Sequence, residues 1–161
     1  MKRLLALLLA AMMLLLTACG GNDDVVSDEI EDAVASADLH EVYESMGDYL
    51  PEMMLMDEGS MLNYYGVDSE MCNQVVLAIC ADGLRADEVW LAEAKDAESL
   101  AELMEMAESR LAAKEEETIN YTPDQYEIVK EAELYTNGMY LVFLVSPDVD
   151  ALKSIVDAAI S

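Results

Sequence analysis

The chain has one histidine, His40, and three cysteines, so the side chains that commonly act as nucleophiles or metal ligands are few. A cysteine nucleophile needs a base near it in space, and Cys80 with His40 is one pair that the sequence offers. Cys80 lies in the apolar run 75–81, where a strand would bury the thiol and leave it inert. His40 stands beside Asp38 and Glu41, off the apolar stripe, which indicates exposure to solvent. The sequence therefore favours neither a thiol enzyme nor a zinc site built from cysteine and histidine.

Cys72 and Cys80 are eight positions apart. An extended segment of that length spans roughly 26 Å, whereas a disulfide needs Cα atoms within about 7 Å. We therefore predict that the two cysteines are not bridged, unless Cys72 folds back in a turn.

Three methionines around Leu55 could bind a soft metal. Met53, Met54 and Met56 carry thioether sulfurs, which prefer Cu(I). Methionine also fills irregular gaps in protein cores, and the chain contains 12 methionines in all. Core packing is the favoured interpretation, and copper binding is kept as a weaker alternative.

Acidic side chains are abundant, with 34 aspartates and glutamates. Carboxylate pairs hydrolyse glycosidic bonds when they lie at a defined separation and one of them has a raised pKa. The sequence does not single out such a pair, so a cell-wall or peptide hydrolase is kept as the alternative function. The sequence has no glycine-rich phosphate loop, no Gly-x-Ser-x-Gly elbow and no calcium loop. We predict no cofactor and no metal ion.

The first 18 residues have the layout of a secretory leader. Lys2 and Arg3 precede an uncharged run of 13 residues, 4–16. A membrane-spanning helix needs about 20 apolar residues, so this run is too short to be one. A basic start, a short apolar stretch and small residues after it are typical of a cleaved signal peptide. We assign residues 1–18 to this leader.

The leader runs into Leu16-Thr17-Ala18-Cys19, which resembles the lipobox of bacterial lipoproteins. The resemblance implies cleavage before Cys19 and transfer of a diacylglyceryl group, with fatty acids such as palmitate, to its thiol. Two acyl chains hold a protein on a membrane stably, whereas one chain does so only weakly. We therefore predict a lipoprotein on the extracytoplasmic face of the cell membrane, with Cys19 as its lipidation site. An ordinary signal peptide with a chance cysteine is the alternative.

Without the leader the chain keeps six basic and 34 acidic residues, a formal charge of −28. Nucleic-acid binding requires basic side chains that neutralise phosphates, so we predict no nucleic-acid partner. The same charge keeps the protein away from anionic lipid headgroups, which leaves the Cys19 lipid as the membrane attachment. The predicted partners are the membrane, through that lipid, and an envelope protein or a small ligand. Residues 19–35 are predicted to be an acidic tether, and residues 36–161 a single domain.

Apolar residues at helical spacing predict the first two helices of this domain. The first helix ends before Gly47, and its apolar face is Leu39, Val42, Tyr43 and Met46. The second helix covers 57–65 and is ended by Gly66.

A hairpin and a helix follow. The hairpin pairs 75–81 with 89–92 around a turn that begins at Asp82. The helix starts after the N-cap Asp96 and is predicted to close at 114–117.

Thr122 and Pro123 predict the start of another helix, as its cap and its first residue. Gln125 would complete a capping box, and Tyr121 with Tyr126 would form a hydrophobic staple across it. This is a strong local signal, and a structural one.

A second hairpin joins 131–136 to 139–145 through Asn137-Gly138, which favours a type I′ turn. That turn pairs Leu134 with Leu141 and Ala132 with Phe143. The run 139–145 is apolar without alternation, which predicts a central strand covered on both faces.

The last helix is predicted to be capped by Ser146-Pro147-Asp148, and its apolar face is Leu152, Ile155, Val156 and Ala159. The two hairpin–helix units overlay with an offset of 52, which places Asp96 on Asp148. An old ββα duplication and two copies of a common pattern explain this equally well. Either way, we predict an α+β fold with a mainly antiparallel sheet from two hairpins and helices packed on it.

Several segments, together with the lipobox, resemble a family of small bacterial lipoproteins known as domain of unknown function DUF4358. The segments are Tyr64-Tyr65-Gly66-Val67-Asp68, Ala86-Asp87-Glu88-Val89, Tyr121-Thr122-Pro123-Asp124-Gln125-Tyr126 and Gly138-Met139-Tyr140. The resemblance covers about 39–160 and implies a Gram-positive-type envelope, but it carries no catalytic residue across. We predict a non-enzymatic binding or accessory module of the cell envelope.

Overall fold

A five-stranded antiparallel sheet forms the centre of residues 36–161, the part of the chain that the computed structural model describes. Its strands are β1 (Met53–Leu55), β2 (Cys72–Cys80), β3 (Glu88–Ala94), β4 (Glu133–Asn137) and β5 (Tyr140–Val145). Their order across the sheet is β1-β2-β3-β5-β4, and each neighbouring pair is antiparallel. The predicted α+β fold built on two hairpins is confirmed.

Helices pack on both faces of this sheet. In the described residues they are α1 (Leu39–Ser45), α2 (Glu58–Tyr65), α3 (Ala97–Tyr121), α4 (Pro123–Lys130) and α5 (Val149–Ala159). Helices α2, α3 and α4 share a core with Trp90 and Phe143, whereas α1 and α5 share a core with Leu91 and Leu144 on the opposite face. Strand β5 lies between β3 and β4 and is buried on both faces, which confirms the predicted central strand.

The two hairpin–helix units place their helices differently. Helix α3 follows the first hairpin and packs on one face, while α5 follows the second hairpin and packs on the other. Because β3 and β5 are antiparallel neighbours, a twofold axis that exchanges them is perpendicular to the sheet and does not exchange its two faces. Two units related by this axis would place their helices on the same face. The units are therefore not related by a local twofold axis, which favours a common pattern used twice.

The predicted helix starts at Asp57 and Asp96 are confirmed, whereas the cap predicted for α5 forms only in part, because Asp148 is its N-cap but the Asp148 side chain makes no capping hydrogen bond. The carboxylates of Asp38, Asp57 and Asp96 accept backbone N–H groups in the first turns of α1, α2 and α3. Gly66 ends α2 with φ of 75°, a left-handed conformation that glycine adopts without a steric cost. The ends at Asp57, Gly66 and Asp96 form as predicted because each one needs only neighbours in sequence.

Helix α3 does not close at 114–117 as predicted, but continues to Tyr121. Lys114 and Thr118 are buried in its last turns, at 6% and 4% exposure. The acidic residues between them face solvent, so the run that resembled a helix end is the outer face of a longer helix.

The predicted capping box of α4 is wrong, although Pro123 is the first helical residue as expected. The side chain of Gln125 accepts the backbone N–H of Ala86 at 2.9 Å, and Thr122 makes no side-chain capping bond. Tyr121 is 81% exposed and does not form the predicted staple. Because the buried N–H of Ala86 needs an acceptor, the Gln125 side chain bonds to it instead of capping α4.

The second hairpin turns one residue later than predicted. Asn137 pairs with Tyr140, so that Gly138 and Met139 are the central turn residues, and the predicted pairing of Leu134 with Leu141 is wrong. Leu134 pairs with Phe143, the residue predicted to face Ala132. Within 36–161 only glycines have positive φ, and a type I′ turn would need positive φ at both Asn137 and Gly138.

Strand β1 has no counterpart in the sequence predictions. It contains Met53 and Met54 and forms one edge of the sheet beside β2. A strand of three residues shows no periodicity, which explains why its sequence did not reveal it. No helix within residues 36–161 has both the length and the hydropathy of a membrane span. The predicted leader, Cys19 and the tether lie outside the described residues.

Candidate functional site

A buried carboxylate lies at the start of β3 and is bound by side chains from α3. Glu88 is fully buried. The guanidinium of Arg110 donates from Nε to Oε1 at 2.9 Å and from Nη2 to Oε2 at 2.7 Å. Trp90 donates its indole N–H to Oε1 at 2.8 Å. This bidentate geometry fixes the orientation of Arg110 as well as its position.

Lys114 completes the arrangement from the next turn of α3. Its Nζ lies 2.9 Å from Oε2 of Glu88 and donates to the carbonyl of Ala86 at 2.8 Å. Arg110 and Lys114 are four residues apart, which places them on one face of the helix. We call Glu88, Trp90, Arg110 and Lys114 the Glu88 cluster.

The electrostatics of the cluster keep Glu88 ionised. Burial raises the pKa of Glu88, but the hydrogen bond from Arg110 and the charges of Lys114 and Arg110 outweigh burial and lower the pKa overall. Burial lowers the pKa of Arg110, but the hydrogen bond to Glu88 and the charge of Glu88, with smaller effects of Tyr65 and Glu117, together raise the pKa overall. The cluster is thus a set of fixed charges that tie α3 to β3, and Glu88 is a poor proton donor.

Aromatic rings extend the cluster toward the surface. Tyr65 meets Trp90 edge to face, with ring centroids 5.5 Å apart, and Trp90 meets Phe143 in the same way at 5.7 Å. The guanidinium carbon of Arg110 lies 5.3 Å from the centroid of the Tyr65 ring. Arg110 therefore holds both a carboxylate in the core and a tyrosine at the edge of the core.

An open groove lies beside the cluster, between α2 and α3, with a volume of about 590 Å³. We call it the α2–α3 groove, and its principal residues are Tyr64, Tyr65, Glu102, Glu105, Ser109 and Arg110. Glu102 and Glu105 are exposed to solvent, and Tyr64 is 76% exposed. Because Arg110 is already paired with Glu88, the charge that the groove offers to solvent is negative.

A smaller cavity of about 150 Å³ is also lined by Arg110 and Lys114, together with Cys80, Arg85 and Glu117. Arg85 pairs with the buried carboxylate of Asp87 at 2.9 Å. Arg110 thus lines both cavities, and Glu88 and Lys114 also line the smaller one.

The structure separates the residues of the postulated thiol site. His40 is exposed, as predicted, and lines a shallow depression with Cys72 rather than with Cys80. Both of these cysteines are buried and free, which confirms that they are not bridged. Burial raises the pKa of Cys72 to about 11, so its thiol stays protonated at neutral pH and is a poor nucleophile.

The methionines of the soft-metal hypothesis are also separated. Met53 packs against the core under α1 and α5, Met56 packs against the core under α3, and Met54 is half exposed. Their sulfurs therefore do not share one site, and the copper hypothesis is not supported. Within residues 36–161, no group of three or more histidine, cysteine or acidic side chains could hold a metal ion.

The spacing of basic residues along α3 is a sequence signal for the Glu88 cluster. Arg110, Lys114 and Thr118 continue the spacing of the buried residues Leu103 and Ala107 along α3. Basic residues on an apolar stripe, in a chain with so few basic residues, predict a buried acidic partner. The identity of that partner, 22 residues away, is not readable from the pattern.

The fold and the site define a class of protein: an α+β domain whose long helix is tied to a central strand by buried charges, beside an open acidic groove. The family model for the domain of unknown function DUF4358 matches residues 45–146, more than half of the chain. The chain belongs to this family, which confirms the resemblance found in the sequence. The matched range contains the whole sheet, the Glu88 cluster and the α2–α3 groove. No curated protein and no solved structure matches the chain significantly.

Proposed function

We propose that this protein is a lipoprotein, anchored to the extracytoplasmic face of the cell membrane through Cys19, and that its domain is a non-enzymatic binding module for an envelope protein or a small ligand. The α2–α3 groove carries the binding part of the proposal, because it is an open, partly aromatic surface at the edge of the core under α3. The lipobox-like segment Leu16-Thr17-Ala18-Cys19 carries the anchoring part.

The tether and the charge suit this arrangement. The proposed tether, residues 19–35, contains 17 residues, and a fully extended chain of that length spans at most about 60 Å. Two acyl chains on Cys19 would resist extraction from the membrane. The acidic domain would be repelled by anionic headgroups, so that its groove would be available to a partner in the envelope.

The alternative of a carboxylate hydrolase gains no support from Glu88, and the neighbouring buried acid, Asp87, is paired with Arg85. A general acid in such an enzyme needs a raised pKa, whereas the pKa of Glu88 is lowered by Arg110 and Lys114. The carboxylate also has its hydrogen bonds filled by Trp90, Arg110 and Lys114. Glu88 is therefore suited to holding the fold together rather than to proton transfer.

The anchoring part is tested by metabolic labelling with an alkyne analogue of palmitate in a Gram-positive host that expresses the full chain. We expect label on the wild type and none on the Cys19→Ser variant. The Cys72→Ser variant is the matched control and should keep the label, because the modifying enzymes act on the lipobox segment. An unlabelled wild type, or a labelled Cys19→Ser variant, would contradict the anchor.

The non-enzymatic part is tested by incubating the purified full chain with cell-wall fragments and with a peptide library. We expect no new product by mass spectrometry. A product that forms with the wild type but not with a Glu102→Gln/Glu105→Gln variant would restore the hydrolase interpretation, since those two carboxylates line the groove.

A further inference from the structure

We propose that the α2–α3 groove binds an extended segment of a partner protein that contains lysine or arginine. This inference rests on the proposed binding function and specifies the chemistry of the partner. It is carried by the length of the groove, by its unpaired carboxylates and by an exposed aromatic ring.

The length of the groove suits a peptide. Its wall on α3 runs from Glu102 to Ala113, which is about 17 Å at 1.5 Å per residue. An extended chain advances about 3.3 Å per residue, so roughly five residues would follow this wall. A compact amine would fill only a part of it.

The charge of the groove selects a cation. Glu102 and Glu105 lie one turn apart on α3, are exposed, and form no ion pair with any residue of 36–161. The one basic residue of the groove, Arg110, is bound on its Nε and Nη2 side by Glu88. The carboxylates are thus available to a basic side chain from outside, and the acidic surface around them would favour its approach.

The two tyrosines of the groove have different roles. The Tyr65 ring is already in contact with Arg110, 5.3 Å from the guanidinium carbon to the ring centroid. Tyr64 is 76% exposed, so that its ring is accessible to a partner. A lysine or arginine of the partner could lie against the Tyr64 ring in the way that Arg110 lies against Tyr65.

The test uses the full chain, labelled with ¹⁵N, in non-ionic detergent micelles at 150 mM salt. The probe is the blocked peptide acetyl-AKAKA-amide, and its neutral counterpart acetyl-AQAQA-amide is the peptide control. We expect the lysine peptide to shift the amide resonances of α2 and of residues 102–113, and the neutral peptide to shift none of them. A lysine peptide that causes no shift there would overturn the inference.

Variants separate a built site from diffuse attraction by an acidic protein. We expect Glu102→Gln/Glu105→Gln to weaken binding by about fivefold, through the loss of two exposed ion pairs. We expect Tyr64→Ala to weaken binding by about threefold, through the loss of one exposed cation–π contact. The matched control is Glu115→Gln/Glu116→Gln, which removes the same charge from exposed positions of α3 outside the groove. It should weaken binding by less than about twofold.

Equal weakening by the two double variants would overturn the inference, because binding would then depend on net charge alone. This outcome is distinct from failure of the proposed function. A chain that is labelled at Cys19 but does not bind the peptide keeps its anchor and loses only this partner. A chain that binds the peptide but is not labelled keeps the groove and loses the anchor.

Discussion

The two faces of the sheet are held by different interactions. Under α1 and α5 the core is formed by aliphatic side chains such as Leu39, Leu91 and Leu152. Under α3 the core also contains ionised groups, since Glu88 and Lys114 are buried beside Trp90. Aliphatic contacts are non-directional, whereas bidentate bonds between charged groups have a defined geometry. The comparison teaches that α3, which forms one wall of the groove, is fixed by buried directional bonds, whereas the bonds of α5 to Tyr135 and Glu133 of β4 are partly exposed.

The largest effect is expected from Glu88→Ala. The variant leaves Arg110 and Lys114 without their carboxylate, and removing one partner of a buried ion pair costs about 3–5 kcal/mol. Urea unfolding should show this loss, and the fluorescence of Trp90 should change in the folded state because its hydrogen-bond acceptor is gone. A fall in the free energy of unfolding of less than about 1 kcal/mol, the usual value of an exposed ion pair, would contradict the difference drawn between the two faces.

A similar or slightly smaller loss is expected from Leu152→Ala on the other face. Leu152 is fully buried, and truncation of a buried leucine to alanine costs about 2–5 kcal/mol. The variant should leave Trp90 fluorescence and peptide binding in the groove unchanged, since Leu152 belongs to the opposite core. A change in Trp90 fluorescence or in peptide binding would show that the two faces are not independent.

The pH dependence of the free energy of unfolding should also distinguish the two faces of the sheet. The folded-state pKa of Glu88 lies below its ordinary value of 4.5. Its contribution to stability is therefore present above that value and is lost as the pH falls through the folded-state pKa. Between pH 6 and pH 3, the Glu88→Gln variant should lose less stability than the wild type, whereas Leu152→Ala should decline in parallel with it. Parallel curves for the wild type and Glu88→Gln would contradict the role given to the cluster.

The smallest effect is expected from Gly66→Ala at the end of α2. The φ of 75° at Gly66 is unfavourable for residues with a Cβ, and we expect a loss of about 1 kcal/mol with slightly weaker peptide binding, because Tyr64 and Tyr65 lie next to it. Gly47→Ala is the matched control, since Gly47 has no positive φ and open space around its Cα. Equal losses in both variants would show that the conformation of Gly66 has no special effect.

The parts of the fold that the sequence predicted depend on neighbours in the chain. The helix starts at Asp57 and Asp96 need only the backbone three residues ahead. The apolar run of β5 indicated a central strand because both of its faces are covered. The failed capping box involves a distant partner, because Gln125 bonds to Ala86, 39 residues away, instead of capping its own helix. Two local predictions also failed, since the second hairpin turns one residue later and α3 continues past 114–117.

For the candidate site too, local features were predictable from the sequence and contacts between distant residues were not. The sequence by itself determined the location of most helices and strands, and it supplied the lipobox resemblance at Cys19, because these are patterns of adjacent residues. Only the tertiary structure decided that Arg110 reaches Glu88 and that Tyr64 faces the same groove as Glu102 and Glu105. The physical reason is that such contacts join elements far apart in the chain. Their geometry is set by how the whole core packs, and no local pattern of residues records it.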